Sequence, residues 1–192
     1  MWVSMELSWD RIKGLFQLEF AKRARGEGAF KAVMVGVILS GLWVSVVFAA
    51  PILEPPGTVY LGNEGGANRV DFADVWANMS NPLAAWVYYT GDVGCHQHAN
   101  RSLFINRNQM PYCARDTGIF LGVFIGFIIA VFYRIRMSMF TFGLFVLPLA
   151  VDGTVQLLTP YESTNLLRII TGILTGVAFA WMLSSMMDEA HS

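Results

Sequence analysis

Four stretches of this chain are long and apolar enough to cross a lipid bilayer, which restricts it to folds that satisfy every backbone polar group internally. Spanning about 30 Å of hydrocarbon takes roughly 20 apolar residues as a helix. The first run extends from about Phe30 to Ile52 and is stopped by Glu54-Pro55-Pro56-Gly57. The second covers about Thr117 to Tyr133 and ends at Arg134, and the third covers about Met137 to Leu158 ahead of Thr159-Pro160. The fourth runs from about Leu166 to Met187 and ends at Asp188-Glu189. Composition agrees: 55% of the 192 residues are hydrophobic and 14% charged, where an ordinary soluble domain carries about 25% charged residues. The expectation is an all-α fold, an integral membrane helical bundle of about four transmembrane helices embedded in the lipid bilayer.

Four crossings place both termini on one side, and the distribution of lysine and arginine selects which. The termini and the turn around Arg134 hold Arg11, Lys13, Lys22, Arg23, Arg25, Lys31, Arg134 and Arg136. The other side holds Arg69, Arg101, Arg107, Arg115 and Arg168. This predicts a multi-pass protein of the plasma membrane with cytoplasmic termini and residues 53–116 as an outward loop. Ahead of the first span, Trp9, Ile12, Phe16 and Phe20 fall on one face at helical spacing, ringed by basic residues. Residues 1–29 therefore read as a cytoplasmic amphipathic helix lying at the interface, and 30–192 as a single transmembrane domain. Val47-Phe48-Ala49-Ala50 has the small residues of a signal-peptidase site, but a polar leader precedes a long apolar run, so a retained anchor is expected.

Net charge is −1, and no basic run of the kind that nucleic acid requires is present. The outward segment is uneven. Leu61 to Ala73 is rich in Gly and Asn and reads as loop, whereas Pro82-Leu83-Ala84-Ala85-Trp86-Val87-Tyr88-Tyr89 is apolar but too short to cross. Its Trp and Tyr suit the membrane interface, from which it would deliver Cys95 to the rim of the bundle.

The chemistry concentrates there. Cys95-His96-Gln97-His98 is followed by Cys113-Ala114-Arg115-Asp116 at the start of the second span. Thiolate, imidazole and carboxylate are common ligands of zinc, so Cys95, His96, Cys113 and Asp116 form a candidate set for zinc or another divalent transition metal. Cys113 and Asp116, three apart on a helix start, can point to the same side, and a helix N-terminus favours the thiolate. A Cys95–Cys113 disulfide is the competing reading. An outward location permits it, and it would contribute about 3 kcal/mol for a loop of this size.

Cys95-His96-Gln97, Arg101-Ser102-Leu103-Phe104 and the run from Cys113 to Gly122 resemble the signature of a family of predicted membrane proteins, domain of unknown function 2085. Asp152-Gly153 with Gln156, and Ser163-Thr164-Asn165 with Arg168, Thr171 and Gly172, are similar to its later motifs in the same order. The resemblance covers roughly Gly91 to Gly176 and implies a small multi-span membrane domain with no established reaction. Where the family pattern carries a further cysteine this chain has Asp116, which keeps an anionic ligand of a harder kind. Three cysteines and a histidine suit a metal better than one disulfide, so the resemblance moves the balance towards ligation.

Inside the third span, Asp152 is an intramembrane carboxylate, a group that costs roughly 2.5–3.5 kcal/mol to insert and by default faces the bundle interior with a partner. Gln156 lies one turn further along the same face, and Arg168 near the end of the fourth span is the expected ion partner. Asp152, Gln156 and Arg168 are thus candidate catalytic residues in a polar pocket beneath the Cys/His cluster, with Arg115 and Asn165 as candidate substrate-binding groups. Gly118, Gly122 and Gly126, matched by Gly172 and Gly176, let two helix backbones approach closely. That approach would bring Arg168 near Cys113 and Asp116.

Two classes of function follow. One is a membrane-embedded, metal-dependent enzyme acting on a lipid-like substrate, although no motif such as H-E-x-x-H selects a reaction. The other is a disulfide-stapled structural or small-solute binding or transport protein without catalysis, acting with a membrane-protein partner or as a homo-oligomer. A monomeric pore is not expected, because the polar groups occupy one half of the spans only.

Overall fold

The computed structural model describes residues 18–21, 26–66 and 68–191. Four long apolar helices carry the architecture: Glu27–Leu53 (α1), Ala114–Phe132 (α4), Met139–Leu158 (α5) and Asn165–Ala190 (α6). Two shorter helices, Ala73–Trp76 (α2) and Pro82–Gly94 (α3), lie between the first two spans. Each expected span is present within a few residues of its expected ends. The bundle is therefore that of a multi-pass, membrane-spanning protein.

Helices α4 and α6 form the tightest pair. A Cβ added to Gly118 would stand 2.6 Å from the Ile169 carbonyl oxygen, and one on Gly126 would stand 2.7 Å from Ala180 Cβ. At Gly122, Gly172 and Gly176 it would run into the backbone of the facing helix. Only glycine permits this approach. Buried Arg168, Thr171, Gly172, Gly176, Ala180, Ser184 and Asp188 mark the inward stripe of α6. Helix α5 packs on α6 with the Phe145 and Trp181 rings 6.0 Å apart, and Thr141 and Asp152 are its buried residues. Most of its remaining surface is apolar and outward, as expected of a lipid-facing helix.

At the far end of α4 from Cys113, Leu18–Ala21 (β1) and Arg134–Met137 (β4) pair antiparallel, with Leu18 opposite Met137. Phe20, the last residue of the expected amphipathic stripe, thus lies in a strand, while Trp9, Ile12 and Phe16 lie outside the described residues.

The segment between the first two spans folds as a cap. Ser102–Ile105 (β2) and Asn108–Cys113 (β3) form a hairpin joined by Asn106 and Arg107, at φ 53° and 63°. Two residues of positive φ are what a type I′ turn requires. The cap has its own core of Val59, Leu61, Ala84, Val87, Tyr88, Met110 and Tyr112, continuous with Val47 and Ala50 of α1. Buried side chains stand in for missing backbone pairing. Asn108 accepts from Val59 N at 2.9 Å and donates to the carbonyls of Pro51 and Pro55 at 2.8 and 3.0 Å. Asp92 accepts from the amides of Asp71 and Phe72 and from Trp76 Nε1. Glu54 at the end of α1 holds the amides of Ser80 and Asn81, and Asn81 in turn caps α3 through Leu83 and Ala84.

Candidate metal centre

Cys95 follows the last turn of α3 and Cys113 immediately precedes the first turn of α4, so the cap delivers both cysteines to one corner of the bundle. The local chain is shaped by Gln97, fully buried with φ of 48°, a backbone region that side chains other than glycine, Asn and Asp seldom enter. Its Nε2 donates to the Pro111 carbonyl at 2.6 Å, while its own carbonyl accepts from Gln109 Nε2. Gln97 thereby points inward, and His96 and His98 on either side line the cavity. Gly91 permits this arrangement, because a Cβ there would strike the Pro111 carbonyl.

Both thiols are free. The Cys113 amide donates to Cys95 Sγ at 3.4 Å, and Cys113 Sγ lies 3.2 Å from Asp116 Oδ2, one helical turn on. Sγ of Cys95, Sγ of Cys113 and a carboxylate oxygen of Asp116 all lie within 4.8 Å of one another. Ligands about 2.3 Å from a tetrahedral ion stand roughly 3.8 Å apart, so the grouping can hold a metal after small side-chain adjustments. His96 lies outside this grouping, exposed at the same cavity. The thiols differ in acidity. The hydrogen bond from Cys95 holds the Cys113 thiol below its usual range, and donating that bond, together with burial, pushes the Cys95 thiol up.

The cavity beside the thiols has a volume of about 220 Å³. Cys95, His96, His98, Cys113 and Asp116 line it, together with Arg101, Arg115, Gln156 and Arg168. The expected convergence of Arg168 on Cys113 and Asp116 is therefore realised. The ion pairing differs from expectation. Asp152 pairs with Arg115 of α4, not with Arg168, and it also accepts from Gln156 Nε2 at 2.9 Å and Ser163 Oγ at 3.2 Å. Arg168 instead donates to Gln156 Oε1 at 3.1 Å and to Asn165 Oδ1 at 2.9 Å. The phase of α4 accounts for this. At 100° per residue, Arg115 falls in step with the glycine stripe that faces α6, whereas Cys113 and Asp116 fall on the opposite side.

Asn165 also donates to the Ser102 carbonyl at 3.1 Å, tying the start of α6 to the hairpin. Asp152 and Asn165 stand behind the groups that line the cavity rather than among them. His98 bonds the Gly65 carbonyl at 2.9 Å. Arg101 pairs with Glu162 at 2.9 Å, which holds that carboxyl below its usual pKa range, and Arg107 lies apart at the exposed hairpin turn. Ser163 and Gln97 stand in the motifs quoted from the sequence but carry no role there, since neither residue type signals a buried anchor without its three-dimensional partner.

Residues 95–182 match the family described as predicted membrane protein, domain of unknown function 2085. An uncharacterized protein of Methanocaldococcus jannaschii is 36% identical over 150 residues, covering 75% of this chain and 88% of that protein. One of Methanothermobacter thermautotrophicus is 35% identical over 89 residues, covering 45% of this chain and 80% of that protein. No solved structure matches the chain. By its motifs and by the relatives whose length it spans, the chain belongs to the domain of unknown function 2085 family of predicted membrane proteins.

Proposed function

We propose that Cys95, Cys113 and Asp116 bind zinc or another divalent transition metal, and that the protein is a membrane-embedded, metal-dependent enzyme acting on a lipid-like substrate. The observation that carries this reading is the approach of three ligand atoms to within 4.8 Å at the wall of a cavity. Two thiols and a carboxylate form a donor set that zinc accepts, and three protein ligands leave a fourth position free, as catalytic sites require. A metal held there would supply Lewis-acid polarisation of a bound oxygen. His96, outside the ligand grouping and exposed at the cavity, is the acid–base group in this reading. Arg168 and Gln156 face the substrate, and Asp152 holds Arg115 in place. The basic residues near the termini favour an orientation with the cavity on the outer face of the plasma membrane.

Elemental analysis and thiol counting on one preparation, purified in detergent without chelators, test the reading. About one equivalent of metal per chain is expected, together with two reactive thiols after the metal is stripped. Cys113→Ser should abolish the metal content. A metal-free preparation with a quantitative Cys95–Cys113 bridge would refute the metal site and leave the disulfide-stapled structural protein.

A further inference from the structure

Three guanidinium groups line the cavity, and their counter-charges are unequal. Arg115 has Asp152 and Arg101 has Glu162. Arg168, only 3% exposed, touches neither carboxylate and feels both only at longer range: its two hydrogen bonds go to the neutral amide oxygens of Asn165 and Gln156. Among the described residues it forms no ion pair, and Asp116, the carboxylate that lines the cavity, is engaged by the Cys113 thiol. A buried guanidinium with neutral partners alone is costly to maintain. The cavity beside it leaves room for the missing half of an ion pair.

We propose that the cavity binds a phosphate-class oxyanion, with Arg168 as its principal counter-charge and Arg101 and Arg115 contributing from the same walls. Guanidinium forks match the paired oxygens of phosphate. Three of them facing one space exceed what the two oxygens of a carboxylate can accept. Arg115 sits in the first turn of α4 and Arg168 in the first turn of α6, at the ends of two spans. That is the depth of a lipid headgroup, and a free phosphate entering from solvent would meet the same donors. As the substrate class of the proposed enzyme this inference rests on the metal reading, whereas the anion binding needs only the arginines.

Equilibrium binding of labelled inorganic phosphate, and separately of short-chain phosphatidic acid, to the full chain in phosphatidylcholine nanodiscs tests it. Binding of either probe is expected, and the probe that binds more tightly identifies the source. Arg168→Gln should weaken it at least tenfold, and Arg168→Lys, which keeps the charge and loses the fork, should fall between. Glu162→Gln frees Arg101 at an exposed pair, leaves the bundle intact, and should tighten binding several-fold. Absence of binding for both probes to the wild-type chain would overturn the proposal, as would equal binding by Arg168→Gln or no tightening by Glu162→Gln. Elemental analysis of the same wild-type preparation used for binding separates the two readings. Phosphate bound by a protein that holds no metal leaves the anion site standing and removes the metal; metal without phosphate does the reverse.

Discussion

Replacing Asp152 by Asn should loosen α5 from the bundle, by an amount the structure sets. Asp152 accepts from Arg115, Gln156 and Ser163, and it joins α5 to α4 and to the chain entering α6. Breaking a buried ion pair by removing one partner costs about 3–5 kcal/mol, because the other charge stays behind. Two features reduce that here. The Arg115 side chain keeps 24% of its surface exposed and lines the cavity, so water recovers part of its solvation. Asn also retains an acceptor oxygen for Gln156 and Ser163. A loss of about 2 kcal/mol is therefore expected, near the value of a charge-assisted hydrogen bond. Helix α5 should report it strongly, since among the described residues Thr141 and Asp152 are its only buried ones, whereas α6 is buried along much of its length. The assay is reversible unfolding in mixed micelles with rising dodecyl sulfate, followed by tryptophan fluorescence. Trp181 meets Phe145 of α5 and is a natural reporter. Arg115→Gln with Asp152→Asn should show a coupling of about 1–2 kcal/mol. Strict additivity, or a single-mutant loss below about 0.5 kcal/mol, would refute the clamp.

Two further outcomes are expected. Asn108→Ala strands the Val59 amide and frees the carbonyls of Pro51 and Pro55, so the cap should lose about 3 kcal/mol while the spans hold; protease protection of residues 53–113 equal to wild type would contradict this. In metal-free protein Cys113 should react with iodoacetamide before Cys95, because its lowered pKa makes thiolate available at lower pH, whereas Cys95 is pushed up and stays protonated. Peptide mapping across a pH series checks the order, and equal rates would count against it.

Local composition determined the four spans and their breaks, because insertion depends on the summed hydropathy of about 20 neighbouring residues and needs no distant contact. The pairing of α4 with α6 was equally legible, since Gly118, Gly122 and Gly126 announce close approach by spacing alone. The Cys95, Cys113 and Asp116 grouping was visible as ligand types on either side of one segment. Tertiary structure alone decided the rest. The hairpin turn at Asn106-Arg107 lacks the glycine that usually marks it, and the cap is held by Asn108, Asp92 and Glu54, polar residues that read as surface until their backbone partners are seen. Asp152 pairs with Arg115 and leaves Arg168 to Gln156 and Asn165. That choice depends on helix phase and on which guanidinium reaches the carboxylate, quantities that neither arginine carries in its own stretch of chain. The charge left over beside the thiols follows from the same geometry.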